Sequence, residues 1–242
     1  MNPVLLIPAR MASMRLSGKP LADIAGQPMI VRVWARAMAA GLGPVVVAAG
    51  EEEIVACVQK AGGRAVLTDP DLPSGSDRIW AALKKIDPKG AHDVVVNLQG
   101  DLPALDPGQL KTVAEALAKS GADIATLAAL IDNAADETNP AVVKAVVAWD
   151  ADERLGRALY FTRTTAPGGE GTLYHHVGLY AYRREALESF VALPPSPLES
   201  REKLEQLRAL EAGMSIAVAR VDEAPLSVDT PADLERARKL LS

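Results

Sequence analysis

The sequence predicts an α/β fold: a Rossmann-like, mostly parallel sheet with helices on both faces, plus a smaller sub-domain. Short apolar runs typical of strands buried on both faces recur through the first half of the chain. Segments with helical spacing separate these runs, and the connections between them are short. Strands with longer polar excursions follow in the second half, which indicates the sub-domain.

Strands and helices alternate in order along the first half. Apolar runs predict strands at 4–7, 45–49, 65–67, 94–98 and 124–130. Helical spacing predicts helices at 28–40, from 51 after the second strand, from Ser76 as the N-cap, and at 107–120. We expect Pro8 to end the pairing of the first strand, because proline has no amide hydrogen to donate.

The second half predicts strands at 142–149, 158–161, 177–182 and 216–221, and helices at 184–191, 203–212 and from Pro231. A Pro- and Gly-rich stretch at 164–172 predicts a loop. We expect one α/β domain with three parts: a first half at 1–130, a sub-domain at 131–225, and a C-terminal turn and helix at 226–242.

The composition excludes several classes of protein. A net charge of −5 and a pI of about 5.3 argue against a nucleic-acid partner. One Cys and three His exclude a disulfide framework and the usual structural zinc site, which fits a cytoplasmic protein. No signal-peptide pattern or membrane-length apolar run is visible, so we expect no membrane partner.

The loop after the first strand carries three cations, Arg10, Arg15 and Lys19, together with Ser13. Open α/β sheets bind ligands at the carboxyl ends of their strands, and clustered cations suit a polyanion such as a triphosphate. The loop is not a Walker-type phosphate loop, because Lys19 is followed by Pro20. An ordinary basic surface loop is the alternative.

One acidic residue follows a predicted strand, and another precedes a predicted helix. Asp101 comes after Gln99 at the end of a buried strand, and a carboxylate beside a triphosphate requires a divalent cation, for which Mg²⁺ is the natural choice. The alternative is an Asp in a turn before Pro103. Asp229 precedes a helix for which Thr230 is the predicted cap.

Other polar groups allow two interpretations each. Ser74 and Arg78 could contact a nucleotide base or ribose, or their segment could be an ordinary helix start. Glu205 and Gln206 could line a pocket or form a solvated helix face. His175 and His176 are adjacent on a strand and point in opposite directions, which argues against a joint metal site.

Five motifs in order resemble those of the sugar-acid cytidylyltransferases. They are Ile7-Pro8-Ala9-Arg10 with Ser13, Arg15-Leu16 and Lys19-Pro20-Leu21; Ser74-Gly75-Ser76-Asp77-Arg78; Gln99-Gly100-Asp101; His176 to Tyr180 with Glu205-Gln206; and Val228-Asp229-Thr230. Tyr160-Phe161-Thr162-Arg163 resembles a further element of the family. The resemblance implies a homodimeric enzyme that couples CTP to 3-deoxy-D-manno-octulosonate (Kdo) for lipopolysaccharide biosynthesis.

The resemblance also implies a role for each matching residue. CTP would contact Pro8, Ala9, Arg10, Ser13, Arg15, Lys19, Ser74, Arg78, Gln99 and Asp101. Asp101 and Asp229 would hold Mg²⁺ and, with Arg10, Arg15 and Lys19, carry the catalysis. The sugar acid would contact Arg163, His176, Tyr180, Glu205 and Gln206. The resemblance thus makes 1–130 the CTP-binding half, 131–225 the sub-domain for sugar-acid binding and dimerisation, and 226–242 the turn and helix with the second metal ligand.

Five positions depart from the family pattern: Ser17 replaces a Pro, Ala49 and Ser76 each a Thr, Gly50 an Asp, and Leu102 a Glu. Two alternatives therefore stay open. The sugar acid could be sialic acid or an amino-substituted Kdo, or the chain could bind nucleotide without turnover.

Overall fold

The structure, a computed structural model, describes residues 1–12 and 16–242. Ser13 and Arg15, for which the sequence predicts roles in the opening loop, lie outside the described residues. The chain divides into two units. The first comprises Met1–Lys111 with Pro225–Ser242, and the second comprises Thr112–Ala224.

The helices and strands have the following bounds in chain order. The first part contains β1 (Pro3–Ala9), a 3₁₀ turn (Lys19–Leu21), β2 (Asp23–Ile24), β3 (Gln27–Pro28), α1 (Met29–Ala39), β4 (Val45–Ala49), α2 (Glu52–Lys60), β5 (Arg64–Leu67), α3 (Gly75–Ile86), β6 (Val94–Asn97) and α4 (Pro107–Ser120). The remainder contains β7 (Ile124–Leu130), α5 (Ala134–Thr138), β8 (Lys144–Trp149), β9 (Leu155–Thr162), β10 (Tyr174–Arg183), α6 (Arg184–Ala192), α7 (Pro197–Glu202), α8 (Leu207–Glu211), β11 (Ile216–Val221) and α9 (Pro231–Leu240).

A parallel sheet in the order β5-β4-β1-β6 forms the centre of the first unit. Every residue of β4 is buried, as are the last six of β1, so both faces of these strands are covered. The chain builds outward from β1 through β4 to β5, then returns to place β6 on the other side of β1. A ligand is expected at the carboxyl ends of β1 and β6, where the strand order reverses.

Pro8 does not end the first strand, so that prediction is wrong. β1 continues to Ala9, and Pro8 pairs in register with Ala48. The Leu6 carbonyl accepts a hydrogen bond from Leu98 on the β6 side, and the Pro8 backbone points to that same side because the directions alternate. The pairing of β1 with β6 ends at Leu6, so the missing amide hydrogen breaks no bond of the ladder.

The second unit contains strands in the order β10-β7-β11-β9-β8. Only β7 and β11 are parallel among the pairings described in this unit. β8 also pairs with β10, at Lys144 and His175, which brings the last strand of the series back to the first. The predicted α/β class is confirmed as a mixed fold: the first unit has the parallel sheet, and the second is mostly antiparallel.

The helix predicted at 203–212 is also wrong in part. α7 ends at Glu202, Lys203 adopts a left-handed conformation with φ 57°, and α8 begins only at Leu207. A left-handed residue stops a helix because its carbonyl leaves the helical direction. No helix among the described residues is long and apolar enough to cross a membrane.

Gly100 allows a close approach between the loop after β6 and the end of β1. A Cβ at this position would lie 2.8 Å from the Pro8 carbonyl oxygen. We expect Gly100→Ala to lower the free energy of unfolding by about 1–3 kcal/mol, because the backbone must shift to admit the methyl group. Urea denaturation measures the change.

The matched control is Gly168→Ala, in the loop between β9 and β10, where a Cβ would have no heavy atom within 4 Å. This variant should change the free energy of unfolding by no more than about 0.5 kcal/mol. Equal stabilities for the two variants would contradict the close approach at Gly100.

Candidate active site

A cleft of about 700 Å³ opens at the carboxyl ends of the parallel strands of the first unit. The end of β1, the opening loop, the start of α3 and the loop after β6 all contribute to it. Its lining comprises Pro8, Ala9, Arg10, Ala12, Ser17, Lys19, Pro20, Leu72, Ser74, Gly75, Arg78, Gln99, Gly100 and Asp101.

The cleft brings together all the predicted CTP-contacting residues that the structure describes. These are Pro8, Ala9, Arg10, Lys19, Ser74, Arg78, Gln99 and Asp101. Their segments are far apart in the sequence, and the parallel sheet places their ends at one edge. The fold therefore brings these segments into one cleft, and the individual roles of these residues stay predictions.

Lys19 lies between the two predicted metal ligands. Its Nζ is 2.7 Å from Asp101 Oδ2 and 3.0 Å from Asp229 Oδ1. Burial alone lowers the pKa of Lys19, but attraction and hydrogen bonds to the two carboxylates outweigh it and raise the pKa above its ordinary value. The ammonium group therefore stays charged and neutralises the carboxylates. The sequence predicts a different contact for Lys19, with the phosphates of CTP.

The two carboxylates converge on one point, which suits them to a shared cation. Carboxylate oxygens are preferred ligands of Mg²⁺, which usually takes one or two of them together with substrate phosphates and water. The described residues contain no group of three or more His, Cys, Asp or Glu that could hold a metal ion. A metal bound by Asp101 and Asp229 would thus need oxygens from the substrate, and the donor set fits that requirement.

The start of α9 determines where Asp229 lies. Thr230 caps the helix and Pro231 occupies its first position, as predicted. Asp233 completes a capping box, and its Oδ2 accepts hydrogen bonds from the backbone nitrogens of Asp229 at 3.1 Å and Thr230 at 2.8 Å. The sequence analysis missed Asp233, although the spacing of Thr230 and Asp233 is that of a capping box.

Ser74, and not Ser76, caps α3. The Ser74 hydroxyl accepts a hydrogen bond from the Asp77 backbone nitrogen at 3.1 Å, and Ser74 has the extended backbone of a cap. Ser76 lies inside the first turn and is buried. The predicted cap is wrong because the helix begins two residues earlier than its apolar pattern indicates.

Arg78 holds the loop that follows β5. Its guanidinium group is buried and donates to the Thr68 hydroxyl at 2.7 Å and to the carbonyls of Asp69 at 2.9 Å and Pro70 at 3.0 Å. Burial lowers the pKa of Arg78 below its ordinary value. The contacts give Arg78 a structural role in the wall of the cleft.

Gly50 lies against two arginines of the cleft. A Cβ there would be 3.0 Å from Arg78 Nη1 and 3.3 Å from Arg10 Cβ, so any side chain at this position would press on both residues. Glu51 follows directly, and its carboxylate accepts a hydrogen bond from the Met11 backbone nitrogen at 2.9 Å. The attraction of Glu51 also opposes the lowering of the Arg78 pKa. An acid is therefore present beside Arg78, one residue after the family position.

In the second unit, His176 is buried in an aromatic environment. Its Nε2 is 3.0 Å from the Thr126 hydroxyl, and its ring meets Phe161 edge-on with centroids 4.7 Å apart. Burial, and secondarily His175, lower the pKa of His176 to about 3. His176 is therefore neutral at physiological pH and acts as a hydrogen-bonding group.

Tyr180 lies close to His176 and feels the charge of Glu205, which is in the segment before α8. The His176 and Tyr180 rings have centroids 5.5 Å apart, and burial, Tyr182 and the charge of Glu205 raise the pKa of Tyr180. Gln206 is buried, and its Nε2 has no hydrogen-bond acceptor among the described residues. The solvated helix face is therefore wrong for Gln206, because this residue precedes α8 and is enclosed.

Arg163 donates to backbone carbonyls of the same unit. Its Nε donates to Glu202 at 2.8 Å, Nη1 to Pro140 at 2.9 Å and Nη2 to Lys203 at 3.3 Å. These bonds hold the C-terminal end of α7, and the contact of Arg163 with a substrate carboxylate stays a prediction.

A largely buried ion pair between Glu199 and Arg208, absent from the predictions, joins residues on either side of the turn that contains Glu205 and Gln206. Arg208 Nε donates to Glu199 Oε2 at 2.9 Å, and Arg208 Nη2 donates to Glu199 Oε1 at 2.7 Å. Glu199 also accepts from the Ser196 backbone nitrogen as part of a capping box. A pair nine residues apart across a left-handed turn has no local sequence signal.

The fold and the cleft define a class: an α/β protein with a cleft at the carboxyl ends of its parallel strands, the place where open α/β sheets bind ligands. The chain belongs to the cytidylyltransferase family, whose family model matches residues 4–216. The 3-deoxy-manno-octulosonate cytidylyltransferase of Parvibaculum lavamentivorans is 68% identical over 241 residues, which cover 100% of this chain and 93% of that protein. The protein of the same name from Rhodospirillum centenum is 64% identical over 240 residues, covering 99% and 93%.

Two solved structures have a similar fold, and one of them is also similar in sequence. CMP:2-keto-3-deoxy-manno-octonic acid synthetase complexed with CTP has a TM-score of 0.90 and 38% identity, covering 100% of this chain and 98% of that one. A 4-diphosphocytidyl-2C-methyl-D-erythritol synthase from Anaerococcus prevotii has a TM-score of 0.66 at 14% identity, covering 99% and 98%. The second likeness shows a shared fold alone.

Asp233 should contribute a pH-dependent part of the stability. Burial raises its pKa, but hydrogen bonds from Arg236, Thr230 and Asp229 outweigh this and lower it to about 2, from an ordinary 3.8. Its contribution is therefore present above pH 3.8 and is lost as the pH falls towards 2. We expect Asp233→Ala to cost about 1–2 kcal/mol at neutral pH and progressively less below pH 3.8.

Denaturant titrations of the wild type and Asp233→Ala at several pH values measure this difference. Glu235→Gln is the control, because the pair of Glu235 with Arg238 is largely exposed. A stability difference that does not shrink on acidification would show that Asp233 does not act through its charged form.

Proposed function

We propose that this chain transfers the cytidylyl group of CTP to Kdo, giving CMP-Kdo and pyrophosphate. The observation that carries the proposal is the cleft, where predicted CTP-contacting residues from four separate segments come together. Relatives of 64–68% identity, matched over nearly their full length, bear the name of this activity, and a neighbouring structure contains CTP.

The reaction forms a bond between the anomeric oxygen of Kdo and the α-phosphorus while the bond to the pyrophosphate oxygen breaks. The anomeric hydroxyl loses its proton, and pyrophosphate leaves in line with the attack. Such a transfer depends on positioning and charge neutralisation more than on covalent catalysis. Arg10 and Lys19 line the cleft and supply positive charge for the phosphates, and Arg15 is assigned the same task from its motif.

Asp101 and Asp229 are the proposed holders of Mg²⁺. Both side chains contact the Lys19 ammonium group in this structure. Their oxygen atoms also suit a divalent ion that contacts phosphate. When bound, the ion would neutralise phosphate charge and lower the pKa of the attacking hydroxyl. Asp233 and the backbone bond from Val228 to the Asp101 carbonyl keep the two carboxylates in place.

The second unit is proposed to hold the sugar acid through Arg163, His176, Tyr180, Glu205 and Gln206. Neutral His176 and Tyr180 can exchange hydrogen bonds with sugar hydroxyls, and the Gln206 amide nitrogen lacks a protein acceptor among the described residues. Buried polar groups without partners are costly, so a ligand or a shift of the neighbouring chain that supplies one is favourable. We further propose that the protein is a homodimer and that it works in the cytoplasm. Its product would serve lipopolysaccharide assembly.

Pyrophosphate release with CTP and Kdo is the experiment that tests this function. Parallel reactions with sialic acid and 8-amino-Kdo compare other sugar acids. Release that requires both CTP and Kdo supports the proposal. No release with Kdo, or faster release with another sugar acid, would overturn the assignment of the substrate.

The proposed metal ligands should act as a unit. We expect Asp101→Asn and Asp229→Asn each to abolish turnover while leaving the fold intact, because either change leaves one carboxylate for the ion. The loss in the double variant should be far smaller than the product of the single losses. Steady-state rates at saturating Mg²⁺ and circular dichroism measure both effects.

Asp152→Asn serves as the control, since Asp152 is exposed in the turn between β8 and β9. Its turnover should equal that of the wild type. Near-normal activity of Asp229→Asn at saturating Mg²⁺ would remove Asp229 from the metal site.

The two units should divide the substrates between them. We expect His176→Ala and Gln206→Ala to keep the dissociation constant of CTP within about threefold, or roughly 0.7 kcal/mol. The same changes should weaken use of Kdo by about 1 kcal/mol or more, the usual cost of a lost buried hydrogen bond. Calorimetry with CTP and steady-state titration of Kdo separate the two effects.

His175→Ala is the matched control, because His175 points to the opposite side of β10 and is only half-buried. Its Kdo kinetics should stay close to wild type. Loss of CTP binding in a folded His176→Ala variant would contradict the division of substrates.

A further inference from the structure

We infer that the Lys19 ammonium group excludes a free divalent cation from this site, and that it releases the position between Asp101 and Asp229 only when a nucleoside triphosphate binds. The inference rests on the proposed function, which assigns the metal to these two carboxylates. It adds an order of events: the nucleotide must bind with the cation, or before it.

The geometry carries the inference. Lys19 Nζ is 2.7 Å from one carboxylate oxygen and 3.0 Å from the other, and the side chains of Lys19 and Asp101 are 16% and 22% exposed. Mg²⁺ binds oxygen at roughly 2.0–2.1 Å, so an ion on these two oxygens would lie against the ammonium group. Two cations in contact in a partly buried site repel strongly. Lys19 and a free divalent cation are therefore alternatives.

A triphosphate allows Lys19 and the divalent cation to bind together, because it offers each of them new partners. Its oxygens supply the ligands that two carboxylates cannot provide, and its negative charge offers Lys19 another acceptor. Arg10 lines the same cleft and adds positive charge there. When the nucleotide binds with the divalent cation, the Lys19 ammonium group thus exchanges the carboxylates for phosphate oxygens.

The exchange requires movement of one side chain only. Lys19 begins the 3₁₀ turn, in which Pro20 is buried and the Lys19 carbonyl accepts a hydrogen bond from Ala22. The backbone is held by these contacts, while the four-carbon stem of lysine can swing its ammonium group to a new acceptor. The second position of Lys19 is the phosphate contact that the sequence predicts.

The test uses Mn²⁺ as the probe, and its binding to the protein without nucleotide is followed by electron paramagnetic resonance. We expect Lys19→Gln to bind Mn²⁺ at least about tenfold more tightly than the wild type, a difference of about 1.4 kcal/mol. Lys19→Met serves as a second uncharged variant, with circular dichroism to verify folding. Lys19→Arg retains the charge and should bind Mn²⁺ as weakly as the wild type.

Arg10→Gln separates direct occupation from a general effect of charge, because it removes a different cation from the same cleft. It should raise Mn²⁺ affinity much less than Lys19→Gln does. Adding Asp101→Asn to Lys19→Gln should abolish the gain. An equal gain in Arg10→Gln, or a gain that survives Asp101→Asn, would overturn the inference.

Water-proton relaxation with Mn²⁺ and CTP together distinguishes failure of this inference from failure of the proposed function. Formation of a ternary complex in the wild type, with tighter binding of Mn²⁺ alone by Lys19→Gln, supports both. A ternary complex with equal affinities of wild type and Lys19→Gln for Mn²⁺ alone overturns this inference and leaves the metal assignment standing. Absence of any ternary complex overturns the metal assignment and the inference with it.

Discussion

The bond of Lys19 to Asp101 and Asp229 is the interaction on which the first unit's site depends. It joins the opening loop, which contains Lys19, to the loop after β6 and to the C-terminal segment. Asp101 and Asp229 lie 82 and 210 residues from Lys19 in the chain. Two carboxylates so close together repel each other, and the ammonium group between them removes that repulsion. The backbone bond from Val228 to Asp101 adds a contact that does not depend on charge. The same arrangement stabilises the fold and prepares a cation position.

A similar principle shapes the candidate sugar-acid pocket in the second unit. The turn with Glu205 and Gln206 is held on one side by Arg208 and Glu199, and on the other by the bonds of Arg163 to the end of α7. The largely buried charges of Arg208 and Glu199 are tolerated because each has several partners. The polar groups left for a ligand therefore sit on a turn that charged side chains have already fixed.

Local patterns were sufficient for much of the fold. The strands at 45–49, 124–130 and 216–221 and the helix at 107–120 have the bounds that their apolar runs predict. Such runs are reliable because burial on both faces requires an unbroken apolar segment. The errors at Pro8, Ser76 and 203–212 have different causes. The end of the β6 ladder, which decides whether Pro8 breaks a bond, depends on a distant strand. The other two errors are local: Ser74 caps α3 two residues before Ser76, and Lys203 adopts a left-handed conformation that ends α7.

The sequence by itself determined the class of fold, the order of the motifs and the segments that meet in the cleft, because the carboxyl ends of parallel strands share one edge. Only the tertiary structure decided that Lys19 contacts carboxylates, that Gln206 is enclosed, and that Gly50 has an arginine where a side chain would lie. These facts depend on contacts between residues far apart in the chain. Hydrophobic periodicity and capping signals act over a few residues and carry no information about which distant charge a side chain will meet.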